Sequence, residues 1–444
     1  FREQWDCRKI MEKKKLHFNR RTLEMEEEKI SRLSSFRNLV SEKFKKMLVD
    51  NSQNEAHWRS LVFGPYYRFV QAVLVVPHCG DPERQNSART KICKVFGLGF
   101  FFAGLFPLLA RTFFLFKNLS NTTLFSVNWA INFLLAILSM HSIFSLIVLF
   151  SLTKSNFFND FTRRFLVAIK NKIPSGVPFL KSHIFLGLFM CFFLYTYVFF
   201  CYENMADYDY FVTDKVNSSA TFRHSMFGSE SLFFIDSVFI VWGAFVSSLA
   251  VVIYNLVATS LATEYQKFNE ELKEASKNGQ LAHVDLLNNY ASRQLEFMDL
   301  AYFAFSKFGI VVTFSFIAGI TTHSLAGFIM RGFGESIPAF AKISIISYMI
   351  LGLMLLLADV KRVSDFANAV DETKNILLFE RSIHTQIDEK IIQVANNVVF
   401  RISHSRYLPA VFSSFKVNEK FFQRAFLIFP FLIEYLNAHK VHVD

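Results

Sequence analysis

Residues 95–151 read VFGLGFFFAGLFPLLARTFFLFKNLSNTTLFSVNWAINFLLAILSMHSIFSLIVLFS. Two apolar runs, each of the roughly 20 residues needed to cross a hydrocarbon core, are held apart by a short polar gap. That gap carries two N-glycosylation sequons, at Asn118 (Asn-Leu-Ser) and Asn121 (Asn-Thr-Thr); a third, at Asn217 (Asn-Ser-Ser), lies in the gap Tyr202–Ser231. Acceptor asparagines of this kind are used outside the cytosol, so both gaps read as outer loops. The gap between them, Thr153–Ser182, sets Lys154, Arg163, Arg164, Lys170, Lys172 and Lys181 against a lone Asp160. This is the basic signature of a cytoplasmic loop. The Tyr202–Ser231 gap is the reverse, with Glu203, Asp207, Asp209, Asp214 and Glu230 against Lys215 and Arg223. Sequons and loop charge therefore agree on a cytosolic N-terminus, the orientation opposite to that of G-protein-coupled receptors.

Composition extends this reading to the whole chain. Its 444 residues are 52% hydrophobic with 56 Phe, outside the range of soluble proteins. The expected fold is an all-α, polytopic membrane protein. The net charge of +11 sits largely in the first 94 residues and the cytoplasmic loops, where it orients the chain and meets anionic lipid, so no nucleic-acid partner is expected. Of Cys7, Cys79, Cys93, Cys191 and Cys201, only Cys201 stands near an outer helix end. A receptor-type outer disulfide is not expected. Phe1–Asp6 has no apolar leader, so insertion is expected to begin at the first internal span.

Spans are expected near 95–116, 125–151, 183–202, 232–260, 308–329 and 343–360, with a weaker seventh over 421–436 that suits a place ringed by other helices. Residues 1–94 read as cytosolic amphipathic helices, with a spaced apolar set over 8–50. Residues 95–360 hold six spans and a charged cytosolic extension at 261–307, 361–420 read as cytosolic anchor helices, and 421–444 as the last helix and an outer tail. Within 361–405, Ile376, Phe379, Ile383, Ile387, Ile391, Val394, Val398 and Ile402 recur at three- and four-residue intervals, an apolar stripe expected on a helix. Its expected partner is a helix bundle or a second subunit.

Catalysis is not expected: the chain has no His-Glu-x-x-His, Walker loop or Cys-x-x-Cys, and Gly97-Leu98-Gly99 lies inside a span and follows no strand. No metal or other cofactor is implied, and no span carries a mid-membrane Lys for a retinal Schiff base. Polar groups at membrane depth mark function because their burial is costly. With the topology above they converge on the outer half. The candidate ligand-binding residues are Trp129, Asn132, Tyr195, Tyr197, Asp236, Trp242, Thr322, His323 and Tyr348. Aromatic walls with a few hydrogen-bonding groups suit a small molecule. Asp236 points to a hydroxyl-bearing or cationic ligand, and the aromatics suit either a sugar or an apolar bitter compound. His141 and Asn255, deeper in, read as helix-to-helix hydrogen bonds.

Seven spans, a cytosolic N-terminus, long helical extensions after spans 4 and 6 and a short closing span resemble the invertebrate gustatory receptor family, related to insect odorant receptors. Phe63-Gly-Pro-Tyr-Tyr-Arg-Phe-Val-Gln71 is similar to that family's approach to span 1. Phe415-Lys-Val-Asn-Glu-Lys-Phe-Phe422, followed by an apolar helix, is similar to its closing segment. The family's Thr-Tyr, five apolar residues, Gln-Phe hallmark is degraded here: Leu427-Ile428 stand at the first pair and Glu434-Tyr435 at the last, after Phe429–Ile433. The resemblance implies a chemosensory receptor that is itself a ligand-gated, non-selective cation channel in the plasma membrane of sensory cells. It implies a homotetramer, or a hetero-oligomer with family members, with cytosolic helices holding the subunits together. Its pore would be lined by the last helix, here Phe431, Glu434 and Tyr435, and its ligand would be of sugar or bitter type. Two alternatives stand beside it: a light- or peroxide-sensing branch of the same family, and a seven-helix receptor signalling through separate proteins.

Overall fold

The computed structural model describes residues 52–74, 88–170, 176–206, 233–335, 337, 339–385, 389–405, 407–411, 415–416 and 419–441. The chain divides into two units, Phe1–His57 and Trp58–Asp444; the architecture below is that of the second. The helices expected over 8–50, the outer loop beyond Ala206 and the sequon at Asn217 lie outside the described residues.

Apolar runs become long helices. They are α1 (Ser52–Leu74), α2 (Ala88–Asn121), α3 (Val127–Lys154), α4 (Phe157–Ala168), α5 (Gly176–Ala206), α6 (Phe233–Lys277), α7 (Val284–Phe305), α8 (Gly309–Phe333) and α9 (Ala339–Phe379), then the short α10 (Arg381–His384), α11 (Glu389–His404) and α12 (Glu419–Ala438). A two-residue antiparallel ladder, β1 (Ala410–Val411) with β2 (Phe415–Lys416), precedes α12. Among the described residues, six helices are long and apolar enough to cross a membrane, within α2, α3, α5, α6, α8 and α9, while the apolar part of α12, Phe426–Ala438, is shorter. The fold is all-α, as the sequence implied. The α2–α3 turn shows how local chemistry sets a boundary: Phe125 takes φ 62°, and the Ser126 hydroxyl caps α3 by accepting from the Trp129 amide at 3.2 Å.

Alternating directions bring the α2–α3 turn, the end of α5, the starts of α6 and α9 and the ends of α8 and α12 to one face of the bundle. At the other end α6 and α9 run on as a parallel pair. Its register is tied by Tyr254 donating to the Asp359 carbonyl at 3.1 Å, Asn269 to the Ala369 carbonyl at 2.6 Å and Lys273 to Glu372 at 2.5 Å. There α4, α7 and α11 form a polar-stitched layer. Arg293 of α7, 4% exposed, donates to the Ala168 carbonyl at 3.1 Å and to Glu271 at 2.5 Å.

The stripe expected on one helix over 376–402 is divided. Helix α9 stops at Phe379, which stands exposed; Ile383 falls in α10, Ile387 lies outside the described residues, and α11 carries Ile391, Val398 and Ile402 buried with Val394 half-buried. Their partner is α7 of the same chain, where Arg401 donates to Gln294 at 2.8 Å and to the Ala291 carbonyl at 3.1 Å. Folding back meets the demand for burial without a second subunit.

Helix α1 bends at Gly64 (φ 52°) and Pro65. Proline has no amide hydrogen, so the Leu61 carbonyl four residues earlier loses its helical donor. His183 of α5 sits 3.0 Å from that carbonyl through Nε2, while Tyr66 donates to the His183 carbonyl at 2.8 Å. A Cβ at Gly64 would come within 3.0 Å of the His183 ring. The bend thus locks α1 onto α5.

Between α8 and α9 the backbones nearly touch. A Cβ at Gly319 would lie 2.6 Å from Leu356 Cγ and 2.9 Å from the Gly352 carbonyl; one at Gly352 would lie 2.7 Å from the Gly319 carbonyl and from the His323 nitrogen. Hydrocarbon offers no hydrophobic drive for helix association, so close approach through small residues carries it. Gly319→Ala and Gly352→Ala are each expected to cost about 1–3 kcal/mol by overpacking. Thermal unfolding in detergent should show lowered midpoints for both and none for Gly99→Ala, whose Cβ would meet nothing within 4 Å.

Candidate ligand cavity

At the α2–α3 end of the bundle, α3, α5, α8 and α9 leave a narrow, partly open gap of about 20 Å³, room for about one water-sized molecule. Its walls are Ile131, Leu134 and Leu135 of α3, Phe200 of α5, Ala326 and Ile329 of α8, and Ser344, Ile345 and Tyr348 of α9. The spacings i, i+3, i+4 on α3 and i, i+1, i+4 on α9 place each set on one helical face. The Tyr348 ring is clamped edge-on by Tyr197 and by Phe200, both with centroids 5.9 Å away. Of the lining residues only Ser344 and Tyr348 carry hydroxyls, and neither oxygen is exposed to the gap, whose exposed surface is apolar.

Behind the Tyr197 wall lies a buried ion pair. Arg111 of α2 meets Asp236 of α6 at 2.5 Å, with side chains 10% and 1% exposed. Tyr197 lies within the electrostatic reach of Arg111, and Cys201 within that of both members of the pair. A charge at this depth needs a partner, and here each supplies the other. Asp236 is therefore engaged by protein and does not face the cavity, contrary to the expectation that it greets a hydroxyl or a cation.

Of the nine residues expected to bind ligand, Tyr348 lines the cavity and Tyr197 supports it. The others are elsewhere. Asn132 donates to the Asn128 carbonyl of its own helix at 2.9 Å. Trp129 packs between Phe125 and Phe133, with centroids at 5.4 and 5.5 Å. Tyr195 is 49% exposed and stacks on Phe199, facing away from the bundle. Trp242 packs beside Gly104 and against Phe100 and Phe245. His323 donates through Nδ1 to the Met349 carbonyl at 3.0 Å and sets its ring 4.6 Å from Phe429, toward α12. Thr322 is fully buried with its hydroxyl unbonded. The remaining wall residues carry no distinguishing signal in the sequence, being mostly apolar side chains inside apolar spans. Deeper in, His141 does bridge helices, with Nε2 2.8 Å from Ser315 Oγ of α8. Asn255 instead donates to the Val251 carbonyl of its own helix at 2.9 Å.

Helix α12 lies on α8 and α9 with Phe429 and Leu436 buried. A Cβ at Gly327 would lie 2.7 Å from Ile433 Cδ1, another close approach. The residues expected to line a pore, Phe431, Glu434 and Tyr435, stand on the opposite, exposed face; Phe431 is 75% exposed. Glu434 pairs with Arg331 of α8. Of the two described sequon asparagines, Asn121 is exposed, whereas Asn118 is buried with its amide nitrogen enclosed. Among the described residues no group of three or more His, Cys, Asp or Glu is placed to hold a metal ion.

Removing one partner of a buried pair strands the other. Arg111→Leu is expected to cost about 3–5 kcal/mol, and Arg111→Leu with Asp236→Leu to recover most of it; thermal midpoints of the purified proteins check this.

The fold is similar to that of the olfactory receptor OR5 of the insect Machilis hrabei, with TM-score 0.63 and 7% identity over 86% of this chain and 99% of that receptor. The structure of the same receptor in complex with eugenol gives 0.63, 10%, 87% and 99%. No match is found among the curated proteins. A family model matches residues 62–433, nearly the whole of the second unit, and the chain belongs to that family, described as Caenorhabditis protein of unknown function, DUF267.

Proposed function

We propose that this protein is a chemosensory receptor that is itself a cation channel, opened by a small molecule held between α3, α5, α8 and α9. The observation that carries the reading is the likeness to an insect olfactory receptor over 86% of this chain and 99% of that one. The eugenol complex of that receptor supports a small-molecule ligand for the cavity here.

Helix α12 supports the channel half of the proposal. It buries Phe429 and Leu436 on its own bundle while Leu427, Phe431 and Tyr435 are 63%, 75% and 56% exposed. A terminal helix with an apolar stripe turned away from its own subunit is suited to meet the same helix of neighbouring copies, and a homotetramer with α12 at its axis gives that stripe a place. Phe431 and Tyr435 then form the constriction. Glu434, paired with Arg331, offers a carboxylate to cations at the mouth without leaving an uncompensated ring of charge. Loop charge and sequon positions support the orientation, with the α4–α7 layer in the cytosol and the C-terminus outside. The plasma membrane of sensory cells is the location this reading requires.

Excised patches from cells expressing the chain, recorded without GTP, test it. A small-molecule-evoked cation current is expected, persisting without soluble signalling proteins. Glu434→Gln should shift its reversal potential toward lower cation preference. Silence with surface expression verified would refute the channel.

A further inference from the structure

We propose that residues 436–441 act as a strap fastening the outer end of α12 to the α2–α3 turn, and that releasing it lets the segment with Phe431, Glu434 and Tyr435 swing about Pro430 to open the conduction path. The inference rests on the channel reading above and names how the terminal helix is held shut.

That segment has a soft point at each end. At its inner end stands Pro430, inside α12. Proline has no amide hydrogen, so the Phe426 carbonyl loses its helical donor and the helix gives most readily there. Between the two ends α12 rests on α8, where two glycines make room for it. A Cβ at Gly327 would lie 2.7 Å from Ile433 Cδ1, and one at Gly332 would lie 2.8 Å from Asn437 Oδ1. Ile433 and Asn437 are four residues apart, so a single face of the segment is seated.

The outer end is held by a few long contacts. The Val441 amide donates to the Phe125 carbonyl at 3.4 Å, and Lys440 donates to the Gly332 carbonyl at 3.4 Å. The His439 ring stands 5.8 Å from the Phe125 ring and 4.6 Å from that of Tyr435, whose carbonyl accepts from His439 Nδ1 at 2.9 Å. All of these strap residues are exposed: Tyr435, His439, Lys440 and Val441. Water competes for each contact, so the strap opens at low cost.

The turn that receives the strap is strained. Phe125 holds φ 62°, a region that bulky side chains rarely adopt. Its ring is set by Trp129 at 5.4 Å on one side and by His439 on the other. Such a conformation persists where neighbours impose it, and it marks places where strain serves a switch. The strap supplies one of those neighbours, so its departure frees the turn to relax, and the relaxed turn no longer aims its carbonyl at Val441.

The test uses the full chain in two readouts: hydrogen exchange over 436–441 in nanodiscs, and current without any ligand in excised patches. Phe125→Gly keeps the positive φ at no steric cost and removes the ring, and His439→Ala removes its counterpart. Both should speed exchange at 439–441 about 3–10-fold, as losing one weak contact allows, and raise the unliganded current several-fold. His439→Phe, which keeps a ring there, should behave as wild type. Leu124→Ala, at a 54% exposed neighbour in the same turn, should change neither readout. Wild-type exchange rates in both Phe125→Gly and His439→Ala would overturn the strap. Faster exchange with an unchanged unliganded current, in a chain whose wild type conducts, would overturn its gating role. A wild type that never conducts would overturn the channel reading and the gating role with it, while exchange still decides whether the strap exists.

Discussion

The close passage of α8 against α9 at Gly319 and Gly352 is the contact on which the bundle depends. Inside a bilayer, apolar side chains gain nothing by leaving lipid for protein, so helices stay together by packing density and by polar groups that have no alternative partner. Helix α8 concentrates both. Its glycines admit the α9 backbone at Gly319 and Ile433 of α12 at Gly327, and its Ser315 meets His141 of α3. The same helix supplies Ala326 and Ile329 to the cavity. Cavity and terminal helix thus hang on one element, and a change in how α8 sits is felt by both.

Polar satisfaction works as the second constraint. Arg111 and Asp236 neutralise each other across α2 and α6, and Pro65 of α1 creates a free carbonyl that His183 of α5 occupies. Each pairing costs little in place and much when halved, which makes it a specifier of which helices are neighbours.

The helices were legible because length and hydropathy decide whether a segment crosses a membrane, and all six long spans appear near their expected positions. The site was much less so. A sequence shows that Asp236, Trp242 and Tyr195 lie at one depth, but rotation about the helix axis decides whether they meet. Tyr195 and Tyr197, two residues apart, face opposite ways for this reason. Asp236 drew attention as an isolated acid, whereas its partner lies 125 residues away on another helix. The apolar stripe over 376–402 was recognised, but the break after Phe379 that turns it back onto α7 follows from tertiary packing and has no proline or glycine to announce it.

Helix α6 runs 45 residues without a proline, about 68 Å at 1.5 Å per residue. It begins beside the ion pair that backs the cavity and ends in the polar layer at the far end of the bundle. A rod of that length behaves as a lever: a tilt of roughly 3° about its middle moves each tip by nearly 2 Å, enough to change a rotamer or break a hydrogen bond. Parallel α9, tied to it at Asp359, Ala369 and Glu372, must follow. A displacement at one end of the bundle therefore needs no chain of rearranging side chains to reach the other; the backbone of two stiff helices carries it.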